Sequence, residues 1–187
     1  RVFSLIDIPV KGIWLSTFHA MGAKILRYDI HNLGYQSDFQ IVDDEDSNII
    51  TKTILKKHNY DLKQFYPKII SRLIQNIKGN QTNADFLEEP IKSVVNQIYD
   101  EYNSYLKSNN LVDFQDLLLL PLKLFKQFPE VLKKYQNMFQ YILVDEFQDT
   151  NDIQYEIVKY LALSHHNLFI VGDEDQSIYA FRGSNIQ

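Results

Sequence analysis

Two short apolar runs separated by one amphipathic helix constrain the fold of this chain most strongly. The runs are Tyr141–Val144 and Leu168–Val171, and between them Ile153, Ile157 and Val158 recur at helical spacing. A strand, a helix and a strand within about 30 residues predict a βαβ unit with parallel strands. Neither run alternates with polar residues, so we expect both strands to be buried on both faces. Ligands of such sheets bind beyond the carboxyl ends of the strands, where this chain carries acidic motifs.

Most of the remaining chain has helical periodicity. Residues Gly12–Ser16 predict a short strand, and Ser16 or Thr17 can cap the helix that follows and stops near Gly34. Gly79 suits the position just after a helix. The further predicted helices are Ile49–Lys57, Lys68–Lys78, Ile91–Leu106, Glu130–Tyr135 and one that begins near Asp113.

Polar residues mark several of these helix starts. Asp43–Asp46 places negative charge where a helix dipole favours it. Asp113 is predicted to cap its helix, and Pro129 suits a first helical position. Asn151 and Gln154 have the spacing of a capping box.

Composition excludes several classes of protein. The chain has 187 residues, of which 45% are hydrophobic and 23% charged, so it can bury a core and is not a disordered tail. It has no cysteine, which excludes disulfides and thiolate metal sites and fits a reducing compartment, and we expect a cytoplasmic protein. No run of about 18 apolar residues predicts a transmembrane helix.

Charge is distributed unevenly along the chain, although the formal net charge is only −5. Residues 52–92 carry eight basic and four acidic side chains, whereas residues 145–175 carry eight acidic side chains and one lysine. An anionic ligand on one side and a cation on the other would explain this pattern, and so would two solvated faces.

The first acidic motif is Asp145-Glu146, directly after an apolar run. Two carboxylates at the mouth of a buried strand need a charged or polar partner. In nucleotide-hydrolysing folds one carboxylate helps to hold Mg²⁺ and the next orients or deprotonates the attacking water. The alternative is that the pair only caps the next helix.

The second motif runs from Gly172 to Gly183 and contains a glutamine, two aromatic residues and an arginine. Gln176 can hydrogen-bond a γ-phosphate, while Tyr179 and Phe181 can stack bases of a single strand beside Arg182. The alternative is that both aromatic side chains lie in the core.

Together the two motifs resemble those of superfamily 1 DNA helicases of the UvrD/Rep/PcrA group. The block Asp145–Asn151 is similar to their motif II, and Gly172–Gly183 is similar to their motif III. Ser16–Ala20 resembles their Thr-Phe-His motif, and Leu111–Leu118 resembles the segment that returns from their helical insertion. The resemblance therefore extends along essentially the whole chain.

The resemblance implies an α/β fold in which a partial RecA-like parallel-sheet domain carries a mainly helical inserted domain. Residues 1–30 and 111–187 would belong to RecA-like domain 1A, and residues 31–110 to domain 1B. The parent protein would be an ATP-dependent helicase that moves 3′ to 5′ on single-stranded DNA, binds junctions of single and double strands, and serves processes such as DNA repair.

The resemblance also implies roles for particular residues. Asp145 would help to hold Mg²⁺, Glu146 would activate the hydrolytic water, and Gln176 would contact the γ-phosphate of ATP. The residues implied to contact DNA are Thr17, His19, Tyr179, Phe181 and Arg182.

Two departures from the family pattern stand out. Many relatives have Trp where Phe181 stands, so stacking there should be weaker. The chain also has no Gly-Lys dipeptide and hence no phosphate-binding loop. We expect the isolated chain to hydrolyse ATP negligibly, because phosphoryl transfer needs that loop and an arginine finger.

Two other functions remain open at this point. One is a non-enzymatic module that binds single-stranded DNA or docks a protein. The other is a Mg²⁺-dependent nuclease that uses Asp145, Glu146, Asp173 and Asp175. The basic stretch could guide duplex DNA, although a solvated helical face also explains it. Trp14 is expected in the core, and the histidine spacing predicts no metal site.

Overall fold

The computed structural model describes residues 12–173, which form seven α-helices, three 3₁₀ turns and four short strands. The helices are α1 (Phe18–Asp29), α2 (Asp44–Lys57), α3 (Pro67–Asn80), α4 (Ile91–Ser108), α5 (Asp116–Gln127), α6 (Pro129–Met138) and α7 (Asp152–Ala162). The strands are β1 (Gln40–Ile41), β2 (Leu111–Val112), β3 (Ile142–Val144) and β4 (Leu168–Ile170).

The strands form two parallel pairs. β3 pairs with β4, and α7 lies between them in the sequence, which confirms the predicted βαβ unit. β1 pairs with β2, although each has only two residues and neither was predicted, because so short a segment shows no periodicity. The predicted strand at Gly12–Ser16 is wrong, since those residues adopt no strand pairing with any described residue.

Side chains begin several helices where the sequence predicts it. The Thr17 side chain accepts a hydrogen bond from Ala20 N, so Thr17 rather than Ser16 caps α1. Asn151 and Gln154 form the predicted capping box of α7. Asp43 caps α2, which begins at Asp44, five residues before the predicted start.

Gly79 and Asp113 differ from their predicted roles. α3 continues through Gly79 and ends at Asn80, and Gln81 caps it in the left-handed conformation, with φ 50°. A Cβ at Gly79 would lie 2.9 Å from Gln115 Oε1, so this glycine permits a close approach by the loop before α5. α5 begins at Asp116 rather than directly after Asp113, although the Asp113 side chain still accepts a hydrogen bond from Asp116 N.

Buried apolar side chains form two clusters. The first core combines α1, α5, α6 and α7 and includes Ile25, Leu118, Phe125, Tyr135 and Ile157. The second core combines α2, α3 and α4 and includes Ile54, Ile74, Val95, Ile98 and Leu106. Trp14, which was expected in the core, is only half-buried; it packs against the first core, with 4.9 Å between its ring centroid and that of Phe139.

The β3–β4 pair is more exposed than the sequence predicts. Leu143 and Phe169 are neighbours in register and are 75% and 63% exposed. Ile142, on the opposite face of β3, packs on the first core. The prediction of burial on both faces is therefore wrong for the described residues, because core packing covers β3 on one side only.

A buried ionic cluster joins the two cores. The Lys78 ammonium on α3 lies 2.7 Å from Asp113 Oδ2 and 2.9 Å from Asp116 Oδ1. The three side chains are at most 9% exposed. Burial disfavours the charge on Lys78, but the two carboxylates outweigh it and hold the pKa of Lys78 above its usual value.

Hydrogen bonds extend this cluster into the second core. Gln75 Nε2 donates to Asp113 Oδ2 and to the Tyr102 hydroxyl, which donates to Ser47 Oγ. Helices α2, α3 and α4 are thereby connected to the start of α5.

None of the helices between residues 12 and 173 has the length and apolarity needed to cross a membrane.

Asp116 makes stability depend on pH in a way that can be measured. Burial and the nearby Asp113 carboxylate raise its pKa from 3.8 to about 6. The folded protein therefore holds this proton more tightly than the unfolded chain. Its contribution to the free energy of unfolding is fully present below pH 3.8 and is lost as the pH rises through about 6.

Asp116→Asn removes this titration. Urea unfolding measures the free energy of unfolding of the wild type and of the variant. The wild-type value minus the variant value should increase when the pH is lowered from about 7.5 to about 5. A difference that stays constant, or that decreases, would contradict the assigned direction of the pKa shift.

Candidate functional site

The carboxyl ends of β3 and β4 lie at one edge of the same sheet. Val144 and Ile170 are partners in register, and Val171 N donates to Val144 O at 2.9 Å. Phe147 N donates to Val171 O at 2.9 Å, so the pairing continues past both strands. The acidic segments after the two strands are therefore neighbours, as the sequence predicts.

Asp145 and Glu146 form a tight turn directly after β3. Glu146 adopts a left-handed backbone conformation, with φ 52° and ψ 44°, and its amide donates to Asp145 Oδ1. Both residues are exposed. The 3₁₀ turn that follows has no side-chain cap, and Asn151 caps α7, so the pair is not a simple helix cap.

Gln148 connects this turn to the end of β4, a role that the sequence reasoning missed. It is 5% exposed; its Nε2 donates to Glu146 Oε2 at 2.6 Å, and its Oε1 accepts from Asp173 N at 3.0 Å. A Cβ at Gly172 would lie 2.7 Å from Gln148 Oε1. Two sequence features could have indicated this contact: a glutamine two residues after the acidic pair, and a glycine after the second strand.

The part of motif III beyond Asp173 lies outside the described residues. This applies to Gln176, Tyr179, Phe181 and Arg182, and also to Asp175 of the nuclease hypothesis. Their predicted roles therefore remain predictions from the sequence.

Thr17 and His19 lie at the start of α1 beside an aromatic residue that the sequence reasoning did not select. The His19 ring stacks on Phe114, with 3.8 Å between centroids and 19° between planes. Phe114 is 51% exposed, Thr17 is exposed and His19 is half-buried. Burial lowers the pKa of His19, which favours a neutral ring at pH 7. We call Thr17 and the stacked His19 and Phe114 rings the α1–α5 platform.

The basic stretch has no single structural role. Lys52, Lys56 and Arg72 are exposed, as both interpretations of this stretch require, whereas Lys78 is buried. A cleft of about 570 Å³ between α2 and α3 has mixed charge. Its lining residues are Asp44, Glu45, Asn48, Lys68, Ser71, Arg72 and Gln75. His58 pairs with Glu101.

Comparison with known proteins relates this chain to one family. The family model for the UvrD/REP helicase N-terminal domain matches residues 1–187. The chain is 44% identical over 191 residues to the ATP-dependent DNA helicase PcrA of Staphylococcus aureus, and 42% identical to that of Staphylococcus epidermidis. Both alignments cover 100% of this chain and 26% of the relative, so the chain spans about a quarter of the length of these curated relatives.

Gln148→Ala should loosen the connection between the two strand ends. The change removes the hydrogen bond that Asp173 N donates to Gln148 Oε1 and should lower the free energy of unfolding by about 0.5–1.5 kcal/mol. Hydrogen–deuterium exchange should become faster at the Asp173 amide. Gln64→Ala, which truncates an exposed glutamine, is the control. Unchanged exchange at Asp173 would show that Gln148 does not hold this edge.

Proposed function

Because this chain belongs to the UvrD/REP helicase N-terminal domain family, we propose that it is part of an ATP-dependent helicase that moves 3′ to 5′ along single-stranded DNA. The observation that carries the proposal is the Asp145–Glu146 turn at the end of β3, connected through Gln148 to the end of β4. This arrangement suits nucleotide hydrolysis at the carboxyl edge of a parallel sheet.

The proposal includes a division of the chain into domains. Residues 1–30 and 111–187 would form part of a RecA-like domain, and residues 31–110 would form a mainly helical inserted domain. The separate second core, drawn from α2, α3 and α4, supports this division.

Asp145 is the residue that we propose to help hold Mg²⁺. Its carboxylate is exposed, and only Oδ1 accepts a hydrogen bond from a described residue. The described residues include no cluster of three or more potential metal ligands. This donor set fits Mg²⁺, which usually takes one or two carboxylates and completes its shell with water and substrate phosphates. When bound, the ion would neutralise charge on the phosphates of ATP.

Glu146 is proposed to orient and deprotonate the attacking water. Its Oε2 accepts the hydrogen bond from Gln148, which restricts the carboxylate and leaves Oε1 free of hydrogen bonds from the described residues. Gln148 thereby acts as a positioning residue for Glu146. Gln176, outside the described residues, is proposed to contact the γ-phosphate.

The α1–α5 platform is proposed to contact single-stranded DNA. Thr17 offers a hydroxyl, and the exposed Phe114 ring, supported by His19, offers a π-face on which a base can stack. Tyr179, Phe181 and Arg182 are proposed to continue this contact. Junctions of single and double strands are proposed as the substrate of the full-length protein.

The nuclease hypothesis has less support. Two-metal nucleases need several carboxylates around ions about 4 Å apart. The described residues offer no such cluster, and Asp175, the fourth carboxylate of this hypothesis, lies outside them. Incubation with end-labelled DNA and Mn²⁺ separates the two functions, because a helicase leaves the strands intact.

Glu146→Gln tests the proposed catalytic role in the full-length protein. ATP binding should be nearly unchanged, because the amide keeps the shape of the side chain. The kcat of DNA-stimulated ATP hydrolysis should fall by roughly 10²–10⁴, because the general base is lost. Glu130→Gln, at an exposed position on α6, is the control. Hydrolysis at the wild-type rate would refute the role of Glu146, and a wild-type protein that binds DNA without hydrolysing ATP would favour the non-enzymatic binding module.

Phe114→Ala tests the α1–α5 platform. Loss of one stacked base should weaken binding of an oligo(dT) strand by roughly 1–3 kcal/mol, measured by fluorescence anisotropy. Phe86→Ala is the matched control, because Phe86 is similarly exposed, at 58%, but belongs to a 3₁₀ turn beside the second core. Equal affinities of Phe114→Ala and wild type would remove Phe114 from the DNA contact.

A further inference from the structure

We propose that Lys78 is a positioning residue for single-stranded DNA binding: from the second core, it holds the loop that carries Phe114. This inference rests on the proposed DNA contact of the α1–α5 platform. It adds a residue that does not itself reach the platform surface, because the Lys78 side chain is only 3% exposed.

The Lys78 side chain extends from its own core toward the other one. Its helix, α3, packs in the second core through Ile70, Ile74 and Ile77. Its ammonium nevertheless pairs with two carboxylates at the start of α5, a helix of the first core. Lys78 is therefore a bridge between cores rather than a contact within one.

The two carboxylates that pair with Lys78 lie on either side of Phe114 in the sequence. Asp113 precedes Phe114 and is paired with Lys78 and hydrogen-bonded to Gln75. Asp116 follows two residues later and is the second partner of Lys78. Asp113 N donates to Asp116 Oδ2, and Asp116 N donates to Asp113 Oδ1, which closes the loop.

Gly79, next to Lys78, lies close to the side chain of Gln115. A Cβ at Gly79 would lie 2.9 Å from Gln115 Oε1, so the residue after Phe114 lies close to the α3 backbone. Phe114 is thus flanked by Asp113, which is ion-paired with Lys78, and by Gln115, whose side chain lies close to Gly79. Its own ring is 51% exposed and stacks on His19.

The charges explain why the cluster is sensitive to loss of the lysine. One ammonium faces two carboxylates, all of them buried. Without Lys78, the two buried carboxylates would lose their counterion, so that one of them would take up a proton or the loop would open to hydrate them. Such opening would displace Phe114 from His19 and remove the stacking surface.

A double-mutant cycle in the full-length protein tests this inference. Phe114→Ala alone should weaken oligo(dT) binding about 5- to 150-fold. Lys78→Met should weaken it within the same range, and the double variant should bind no more weakly than Phe114→Ala alone. Lys92→Met, which breaks a more exposed ion pair with Asp85, is the matched control and should bind like the wild type.

Two further measurements separate positioning from general destabilisation. Asp113→Asn removes the Lys78–Asp113 ion pair but keeps the Lys78–Asp116 pair and the hydrogen bond that Asp116 N donates to Oδ1. If Lys78→Met does not fold, Asp113→Asn takes its place in the cycle: it should weaken oligo(dT) binding, and its loss of affinity should not add to that of Phe114→Ala. In NMR titrations of the histidines, Lys78→Met or Asp113→Asn should raise the pKa of His19, because loss of the Phe114 ring exposes it to water.

The outcomes distinguish this inference from the proposed function. Losses of affinity that multiply in the double variants, or folded Lys78→Met protein that binds DNA like the wild type, would overturn the positioning role while leaving the DNA contact intact. Wild-type protein that does not bind oligo(dT) would overturn both.

Discussion

The ion cluster of Lys78 with Asp113 and Asp116 is the interaction on which the arrangement of the two cores depends. Removing one partner of a buried ion pair typically costs about 3–5 kcal/mol, because the remaining charge has lost its solvent and its counterion. Here one cation serves two carboxylates, and Gln75 and Tyr102 extend the network into the second core. The cluster fixes where the chain returns to the first core and how α5 begins.

The candidate site uses the same principle of polar groups that hold each other across elements. At the edge of the β3–β4 sheet, the amide of Gln148 binds the Glu146 carboxylate and the Asp173 backbone at once. At the start of α1, the His19 ring stacks on Phe114 from the loop before α5. At the strand ends the long-range contact is the one from Gln148 to Asp173, and at the start of α1 it is the contact between Phe114 and His19. Family membership and this geometry together support our proposal that the chain is part of an ATP-driven motor on DNA.

Local patterns predicted much of this architecture. The capping box at Asn151, the Thr17 cap and the βαβ unit follow from short-range hydrogen bonding and periodicity, which depend on neighbours in sequence. The sheet burial was predicted wrongly, because an apolar run such as Leu168–Val171 does not reveal which other elements cover it. Gly79 was assigned to a helix end, whereas its reason lies in Gln115, 36 positions away.

The sequence by itself determined the helices, the parallel strand pair, the acidic pair after β3 and the resemblance to the helicase family, since each depends on residue types at fixed short spacings. Only the tertiary structure decided that Lys78 lies between two carboxylates, that Gln148 joins the two strand ends, and that Phe114 covers His19. These contacts form between segments separated by more than twenty residues, and their partners are selected by burial and charge neutralisation, which no local pattern encodes.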